Sequence, residues 1–379
     1  MIRVMLVDDS SFMRKLTKNM ISEDPEIEIV LEAKNGEEAV QVYREDIDVV
    51  LLDIEMPKMT GLEVLESWHK ARKNVTTIMF SSLTKNGAKE TIRALDLGAF
   101  DFIEKPNNPI LLNQKKEEII EKIKSAYKHK ERKKSFTSTR VNKPDTTRTL
   151  NSNNSFSSAS ARESENTLSR RGESENKGTA STAGNSSTPT KLKNLILIGC
   201  STGGPKALKE IIPMFPGDLD AAILIVQHMP KGDYTRSLSE TLNRVSKLNV
   251  HEAQNGQKIE NGNVYIAPGG FQMKISNAET IIITEDEPES GHAPSVDYMF
   301  REVLLKKGSL NLIPVVLTGM GADGSKSSLL FSKQGFETTV ESEDTCVVFG
   351  MPKKVIEIGA KSKALDLEGI PAYVMTKIR

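Results

Sequence analysis

The chain lacks the cysteine needed for a disulfide framework: Cys200 and Cys346 are the only two in 379 residues. It lacks an excess of either charge. Lys+Arg and Asp+Glu stand at 51 each, which excludes a chain-wide basic character and argues against a general nucleic-acid binder. No apolar run approaches the roughly 18–20 residues that a membrane span needs, so no membrane insertion is expected. The opening MIRVMLVDDS reaches two aspartates at once, unlike a secretory signal peptide. Five histidines and two cysteines form no ligand cluster at metal spacing. What is present is 37% hydrophobic and 27% charged residues, enough to bury a core, in a chain too long for one ordinary domain. The expectation is a cytoplasmic, multidomain protein.

Composition changes abruptly between Ser135 and Thr190, where Ser, Thr and Asn dominate. NSNNSFSSAS and STAGNSSTPT have neither helical nor strand periodicity. Such a segment cannot bury enough apolar area to offset its ordering entropy, so a disordered linker is expected. The predicted organisation is a first domain over 1–125, a linker over 126–191 and a second domain over 192–379. No internal repeat is visible.

In the first domain the apolar runs IRVMLVDD, IEIVLEA, IDVVLLD, TTIMFSS and AFDFIEKP alternate with the helical patterns SFMRKLTKNM, GEEAVQVYRE, GLEVLESWHK, AKETIRALDLG and LLNQKKEEIIEKIKSAY. This predicts an α/β fold with a five-stranded, doubly wound parallel sheet and a site at the carboxyl ends of its strands. The second domain alternates through LKNLILIGC, AAILIVQH, NVYIAPG, TIIITED and LIPVVLTGM. It reads as a larger, mostly parallel α/β domain, with an antiparallel strand or hairpin around NGNVYIAPGGFQMKI.

Polar residues sit where the first domain's strands end. Asp8 and Asp9 close the first, Asp53 the third, Ser81 and Ser82 the fourth and Lys105 the fifth. Three converging carboxylates repel one another unless a cation sits among them, and an oxygen-only set suits Mg²⁺. An aspartate there can attack a phosphoryl group while a lysine stabilises the developing charge and a hydroxyl binds a phosphoryl oxygen. Taken singly, any one of these aspartates reads as a solvated cap; the set at four strand ends does not. The segment resembles response-regulator receiver domains over about residues 1–125. The resemblance implies Asp53 as phospho-acceptor and Asp8, Asp9 and Asp53 as Mg²⁺ ligands, with the Glu55 carbonyl. It implies Ser81 and Phe102 as switch residues, Lys105 (followed by Pro106 in a cis peptide) as the phosphate-side cation, and a histidine kinase as phosphodonor.

Three strands of the second domain also end in reactive residues. LILIGC runs into Ser201, AAILIVQ into His228 and LIPVVLTGMGA into Asp323. A parallel sheet brings these ends to one edge, where a serine nucleophile, its base and an orienting carboxylate would meet. Gly203 and Gly204 let backbone N–H groups approach a substrate, and Pro205 suits the first turn of a helix. Separately, Ser201 reads as a helix cap, His228 as an interior histidine and Asp323 as a turn residue. Cys200 is a rival nucleophile, expected to point into packing. GCSTGGP lacks the spacing of a dinucleotide-binding loop.

GCSTGGP, VQHMP, APGG, PSVD and LTGMGADG resemble the catalytic domain of the CheB family, the chemotaxis-specific protein-glutamate methylesterases, over about residues 192–379. The resemblance implies Ser201 as nucleophile, His228 as general base and Asp323 as its partner. Thr202, Gly203 and Met320 fall at oxyanion or substrate support, with no cofactor in this domain. It implies hydrolysis of glutamate γ-methyl esters on membrane-bound chemoreceptors, deamidation of certain receptor glutamines, and a receiver that packs over the Ser201 edge until phosphorylated. The linker looks longer than is usual for the family. Its basic entrance, KHKERKK, is either a docking segment or a solvated helix end. Two other readings stand beside the enzyme: a non-enzymatic response regulator whose second domain is a binding module, and a DNA-binding output. The latter lacks any helix-turn-helix pattern or basic recognition helix.

Overall fold

Apolar β-branched runs bounded by polar residues make short strands, and the polar residues that follow make helix caps. The computed structural model describes residues 1–82, 84–105, 115–140, 191–277 and 279–379. Pro106, the first part of the LLNQKKEE helix pattern and the low-complexity stretch 141–190 lie outside them.

The N-terminal module has strands β1 (Ile2–Val7), β2 (Ile27–Ala33), β3 (Val49–Asp53), β4 (Thr77–Ser81) and β5 (Asp101–Glu104). They pair in parallel in the order β2-β1-β3-β4-β5. β3 and β4 are buried at every position because helices cover both faces, so they read as unbroken apolar runs. Helices α1 (Ser11–Ile21), α2 (Gly36–Val42), α3 (Gly61–Lys70) and α4 (Lys85–Asp96) open on Ser10, Asn35, Thr60 and Thr84. Each cap side chain accepts a backbone N–H from the first turn, and Glu63 completes a capping box on α3. Helix α5 (Lys116–Arg140) buries Ile119, Ile123 and Ala126 at helical spacing and runs well past residue 125. The first residues assigned to the linker are therefore helical. The apolar stripe stops near Ala126, but the polar face beyond it finds partners: Lys130 is buried and donates to the Ile47 carbonyl at 2.7 Å.

The C-terminal module has a seven-stranded parallel sheet in the order β14-β13-β12-β6-β7-β9-β8. Its strands are β6 (Asn194–Cys200), β7 (Ala222–Gln227), β8 (Asn249–Glu252), β9 (Asn263–Ile266), β12 (Asn311–Val316), β13 (Thr338–Glu341) and β14 (Ser362–Leu365). The antiparallel element is a separate two-stranded hairpin of β10 (Gln272–Ser276) and β11 (Thr280–Thr284). Of the antiparallel strand or hairpin expected around NGNVYIAPGGFQMKI, the antiparallel strand is present as β10, paired with TIIIT, while the first half, β9, joins the main sheet in parallel. Ile198 of β6 pairs with Val315 of β12 on one side and Ile225 of β7 on the other, so the strands that lead to Asp323, Ser201 and His228 are neighbours. The helices are α6 (Gly204–Ile211), α7 (Tyr234–Val245), α8 (Val296–Lys306), α9 (Ser325–Lys333), α10 (Met351–Glu357) and α11 (Gly369–Met375).

Residues 1–134 and 191–379 form one compact unit. Helix α4 packs on α6 and α7. Phe102 of β5 stacks on Tyr234 of α7 with ring centroids 5.1 Å apart and planes 18° from parallel. The Tyr234 hydroxyl donates to the Ser82 carbonyl at 3.0 Å and lies 3.2 Å from the Ser81 hydroxyl. Lys209 pairs with Asp96 at 2.8 Å. From KHKERKK, the Arg132 guanidinium donates to the carbonyls of Glu343 (2.9 Å) and Cys346. That segment therefore engages both modules, as a docking segment would. Among the described residues no helix is long and apolar enough to cross a membrane.

Candidate active site

The acidic cluster forms where parallel pairing aligns the ends of β1, β3 and β5. One carboxylate oxygen each from Asp8, Asp9 and Asp53 can be chosen with all three within 4.8 Å of one another. Lys105 Nζ lies 2.7 Å from Asp8 and 2.5 Å from Asp53. Burial raises the Asp53 pKa to about 6 against the opposing pull of Lys105, and Asp8 adds to the rise. A buried carboxylate kept reluctant to ionise, in an oxygen-only set, fits a hard divalent cation such as Mg²⁺. The Glu55 carboxylate instead accepts from Ser82 (2.8 Å) and Thr84 (3.2 Å). The Ser81 hydroxyl is buried and faces α4: it accepts from Thr91 at 2.6 Å and lies 3.3 Å from the Gly87 carbonyl. Phe102 is buried against Tyr234.

In the C-terminal module the loop after β6 turns sharply into α6. Gly203 occupies the left-handed region at φ +81°, and a Cβ there would lie 2.5 Å from the Val347 side chain. Ser201 sits at the turn, half-buried. Its backbone N–H donates to the Thr318 carbonyl at the end of β12 (3.0 Å), and the His228 N–H donates to the Cys200 carbonyl (3.1 Å). The Gln227 amide donates to the carbonyls of both Ser201 (3.0 Å) and His228 (3.1 Å), bracing the two strand ends.

His228 Nε2 meets Asp323 Oδ2 at 2.8 Å. Asp323 is buried and saturated: Val296 N–H reaches Oδ2, while Ser295 Oγ and the N–H groups of Asp297 and Gly324 reach Oδ1. Burial opposes its charge, but His228 and these N–H groups outweigh that and hold the carboxyl below its ordinary value. A permanent carboxylate at Nε2 fixes the proton there and leaves Nδ1 as the basic nitrogen. Nδ1 is buried with no hydrogen-bond partner. The bond from Ser201 to the imidazole, expected of a triad, is thus not closed through Nδ1; such bonds commonly tighten only with substrate present.

Cys200 points into packing. Its thiol is fully buried against Gln227 Oε1 at 3.1 Å, and burial pushes its pKa far up, so it is no thiolate. Met320 is half-buried on the loop after β12. Thr202 is buried, and its hydroxyl donates to Asp101 Oδ2 of β5 at 2.6 Å rather than facing a substrate.

Several supporting residues carry no signal in the sequence. His292 stacks on His228 with centroids 3.8 Å apart, and burial, then the neighbouring His228, lower its pKa to about 4. Gln227, Ser295, Tyr234 and Asp101 are ordinary strand, cap, helix and strand residues until the fold places them. Of these only Ser295, in PSVD, and Gln227, in VQHMP, belonged to motifs.

Together the two sites define a phospho-acceptor-like acidic pocket joined to a hydrolase-like serine edge. Residues 196–374 match the CheB methylesterase family, and residues 4–117 match the response regulator receiver domain. The protein-glutamate methylesterase/protein-glutamine glutaminase of Symbiobacterium thermophilum is 39% identical, covering 97% of this chain and 95% of its own. The Bacillus subtilis protein of the same name is 35% identical, covering 100% of this chain and 99% of its own. The crystal structure of the Thermotoga maritima CheB catalytic domain is 38% identical, covering 49% of this chain and 99% of that one, with a TM-score of 0.46. The chain belongs to the CheB methylesterase family and carries a response-regulator receiver domain at its N-terminal end.

Proposed function

We propose that the protein is a phosphorylation-regulated chemotaxis enzyme that hydrolyses glutamate γ-methyl esters on chemoreceptors and deamidates particular receptor glutamines. The observation that carries the reading is the His228–Asp323 pair, which leaves a buried, unpartnered Nδ1 at the strand end beside Ser201. Ser201 Oγ attacks the γ-carbonyl while His228 Nδ1 takes its proton. Backbone N–H groups of the Thr202–Gly203 turn and near Met320 receive the oxyanion. The tetrahedral intermediate collapses and expels methanol, or ammonia from an amide, with the proton returned by His228. Water, deprotonated by His228, then cleaves the acyl-enzyme to the glutamate and restores Ser201. Asp323 orients the ring and stabilises the imidazolium.

In the receiver, Asp53 accepts the phosphoryl group from a chemotaxis histidine kinase. Asp8, Asp9 and Asp53, with the Glu55 carbonyl, would hold Mg²⁺, which supplies charge neutralisation at the phosphoryl oxygens when bound. Lys105 holds the phosphoryl group, and Ser81 and Phe102 carry the switch. Docked as described, the receiver limits access to the Ser201 edge.

The test is methanol release from methylated receptor membranes, with and without a small-molecule phosphodonor. Release should depend on Ser201 and rise with phosphodonor. Release that persists in Ser201→Ala would dismiss the serine mechanism. No release at all would favour a binding module.

A further inference from the structure

Occlusion is not the only thing the docked receiver does to the serine edge. We propose that it also suppresses the chemistry itself, by holding the Thr202 hydroxyl on the carboxylate of Asp101. The proposal rests on the reading of Ser201 as the nucleophile.

Thr202 directly follows Ser201. Its Oγ1 donates to Asp101 Oδ2 at 2.6 Å, and the two residues are 3% and 6% exposed. A hydroxyl has one hydrogen. While Asp101 takes it, Thr202 Oγ1 cannot donate to an oxyanion. The acceptor also carries a negative charge, held next to the loop where negative charge develops in the reaction. In a buried site that repulsion opposes the transition state. Lys122, 3.1 Å from Asp101 Oδ2, offsets it only in part, because it is shared with Glu118 at 3.3 Å.

The clamp has no need to move the catalytic backbone. The Thr202 carbonyl accepts from Thr318 Oγ1 at 2.9 Å, and Val348 N–H in turn donates to Thr318 Oγ1 at 2.9 Å. The loop is thus anchored within its own module, and turning one side chain suffices to free the hydroxyl.

Asp101 is equally well placed to feel phosphorylation. Its neighbour on β5 is Phe102, stacked on Tyr234, whose hydroxyl lies at the Ser81 side chain. β5 pairs with β4, with Ile78 opposite Asp101 and Ser81 opposite Glu104, and β4 pairs with β3, which ends in Asp53. A shift of Ser81 toward a phosphorylated Asp53 loosens Tyr234 and Phe102, and Asp101 is the next residue along.

Exclusion and clamping differ in the kinetics they produce. A receiver that merely covers the site competes with substrate, so it raises KM and leaves kcat alone. A receiver that ties up Thr202 lowers kcat for substrate that has already bound. The experiment uses the full-length protein and p-nitrophenyl acetate, an ester far smaller than a receptor helix. Phosphodonor should raise kcat about tenfold, the scale of one charge-assisted hydrogen bond. Asp101→Ala should reach the same kcat without phosphodonor and respond little to it. Asp101→Asn, which keeps the shape but not the charge, should fall between the two and serves if Asp101→Ala does not fold. The proposal is overturned if kcat is the same in wild type, with or without phosphodonor, and in the variants while receptor demethylation still rises on phosphorylation. Ester turnover that survives Ser201→Ala would instead remove the functional reading, and the clamp with it.

Discussion

Tyr234→Phe deletes one hydroxyl and leaves everything else at the receiver contact in place. The hydroxyl donates to the Ser82 carbonyl at 3.0 Å and lies 3.2 Å from Ser81 Oγ. Each such bond is worth about 0.5–1.5 kcal/mol net, so losing both shifts the docked state by about 1–3 kcal/mol, or about 5–150-fold in its population ratio. Ser81 is not left bare, because Thr91 and the Gly87 carbonyl remain beside it. The phenyl ring keeps its place over Phe102, a stack worth about 0.5–1.5 kcal/mol beyond its burial. Tyr234→Ala would confuse matters: the ring is fully buried, and the cavity would cost about 3–5 kcal/mol in the catalytic module itself. The assay is methanol release from methylated receptors with and without phosphodonor. Basal release should rise at least about fivefold, while the phosphodonor-saturated rate stays put, so the stimulation ratio shrinks by the same factor. An unchanged basal rate in a folded Tyr234→Phe protein would refute the idea that this hydroxyl links the switch to the catalytic module.

Other outcomes are expected. Ser201→Ala, His228→Gln and Asp323→Asn should each lose orders of magnitude in demethylation with the fold intact, and the double variants should be little worse than the worst single one; wild-type rates in Ser201→Ala would contradict this. Asp53→Asn should abolish uptake of phosphate from a phosphodonor and spare basal demethylation, since Asp53 sits outside the serine edge; retained stimulation would reveal another acceptor. Acid should weaken the fold through His129 and His292, whose pKa values burial lowers to about 4. The unfolded chain binds protons at these histidines from about pH 6.5 downward and the folded one does not, so stability is lost as pH falls from 6.5 toward 4. At pH 5 the loss is about 2 kcal/mol for His292 and less for His129, whose greater exposure lets solvent screen part of the effect. Urea midpoints at pH 7.5 and 5 should separate, and a His129→Asn, His292→Asn double variant should narrow the gap; an equal gap would contradict the assignment.

The strands were legible because both sheets are parallel. Buried on both faces, β3, β4, β6 and β7 have no polar alternation, only apolar runs that stop at a polar residue. Parallel connectivity then forces those stops to one edge, which is why Asp8, Asp53 and Lys105, and separately Ser201, His228 and Asp323, could be grouped before any coordinates. No hairpin forms within NGNVYIAPGGFQMKI because β9 stops at Ile266 and pairs in parallel with β7 and β8, whereas β10 starts at Gln272, beyond the A-P-G-G turn, and pairs with β11. β8, β13 and β14 are four residues each, too short for a period to show. The residue pairs that join the modules left no local pattern. Asp101 and Thr202, or Ser81 and Tyr234, are joined by surface shape across more than a hundred residues, and no local pattern encodes that. KHKERKK was ambiguous for a related reason: a basic helix end looks the same whether water or backbone carbonyls receive it.

The stack of Phe102 on Tyr234 also gives receiver docking a temperature dependence. Closure covers the facing surfaces of two aromatic side chains, a part of the roughly 150–250 Å² that each buries in the folded protein. Burying apolar surface lowers heat capacity, and the attraction it supplies weakens on cooling. The polar contacts around it do not share that trend. On the proposed regulation, the undocked fraction of unphosphorylated protein should grow in the cold, so basal turnover should fall less steeply with temperature than the phosphorylated rate, and the receiver should restrain the enzyme best when warm.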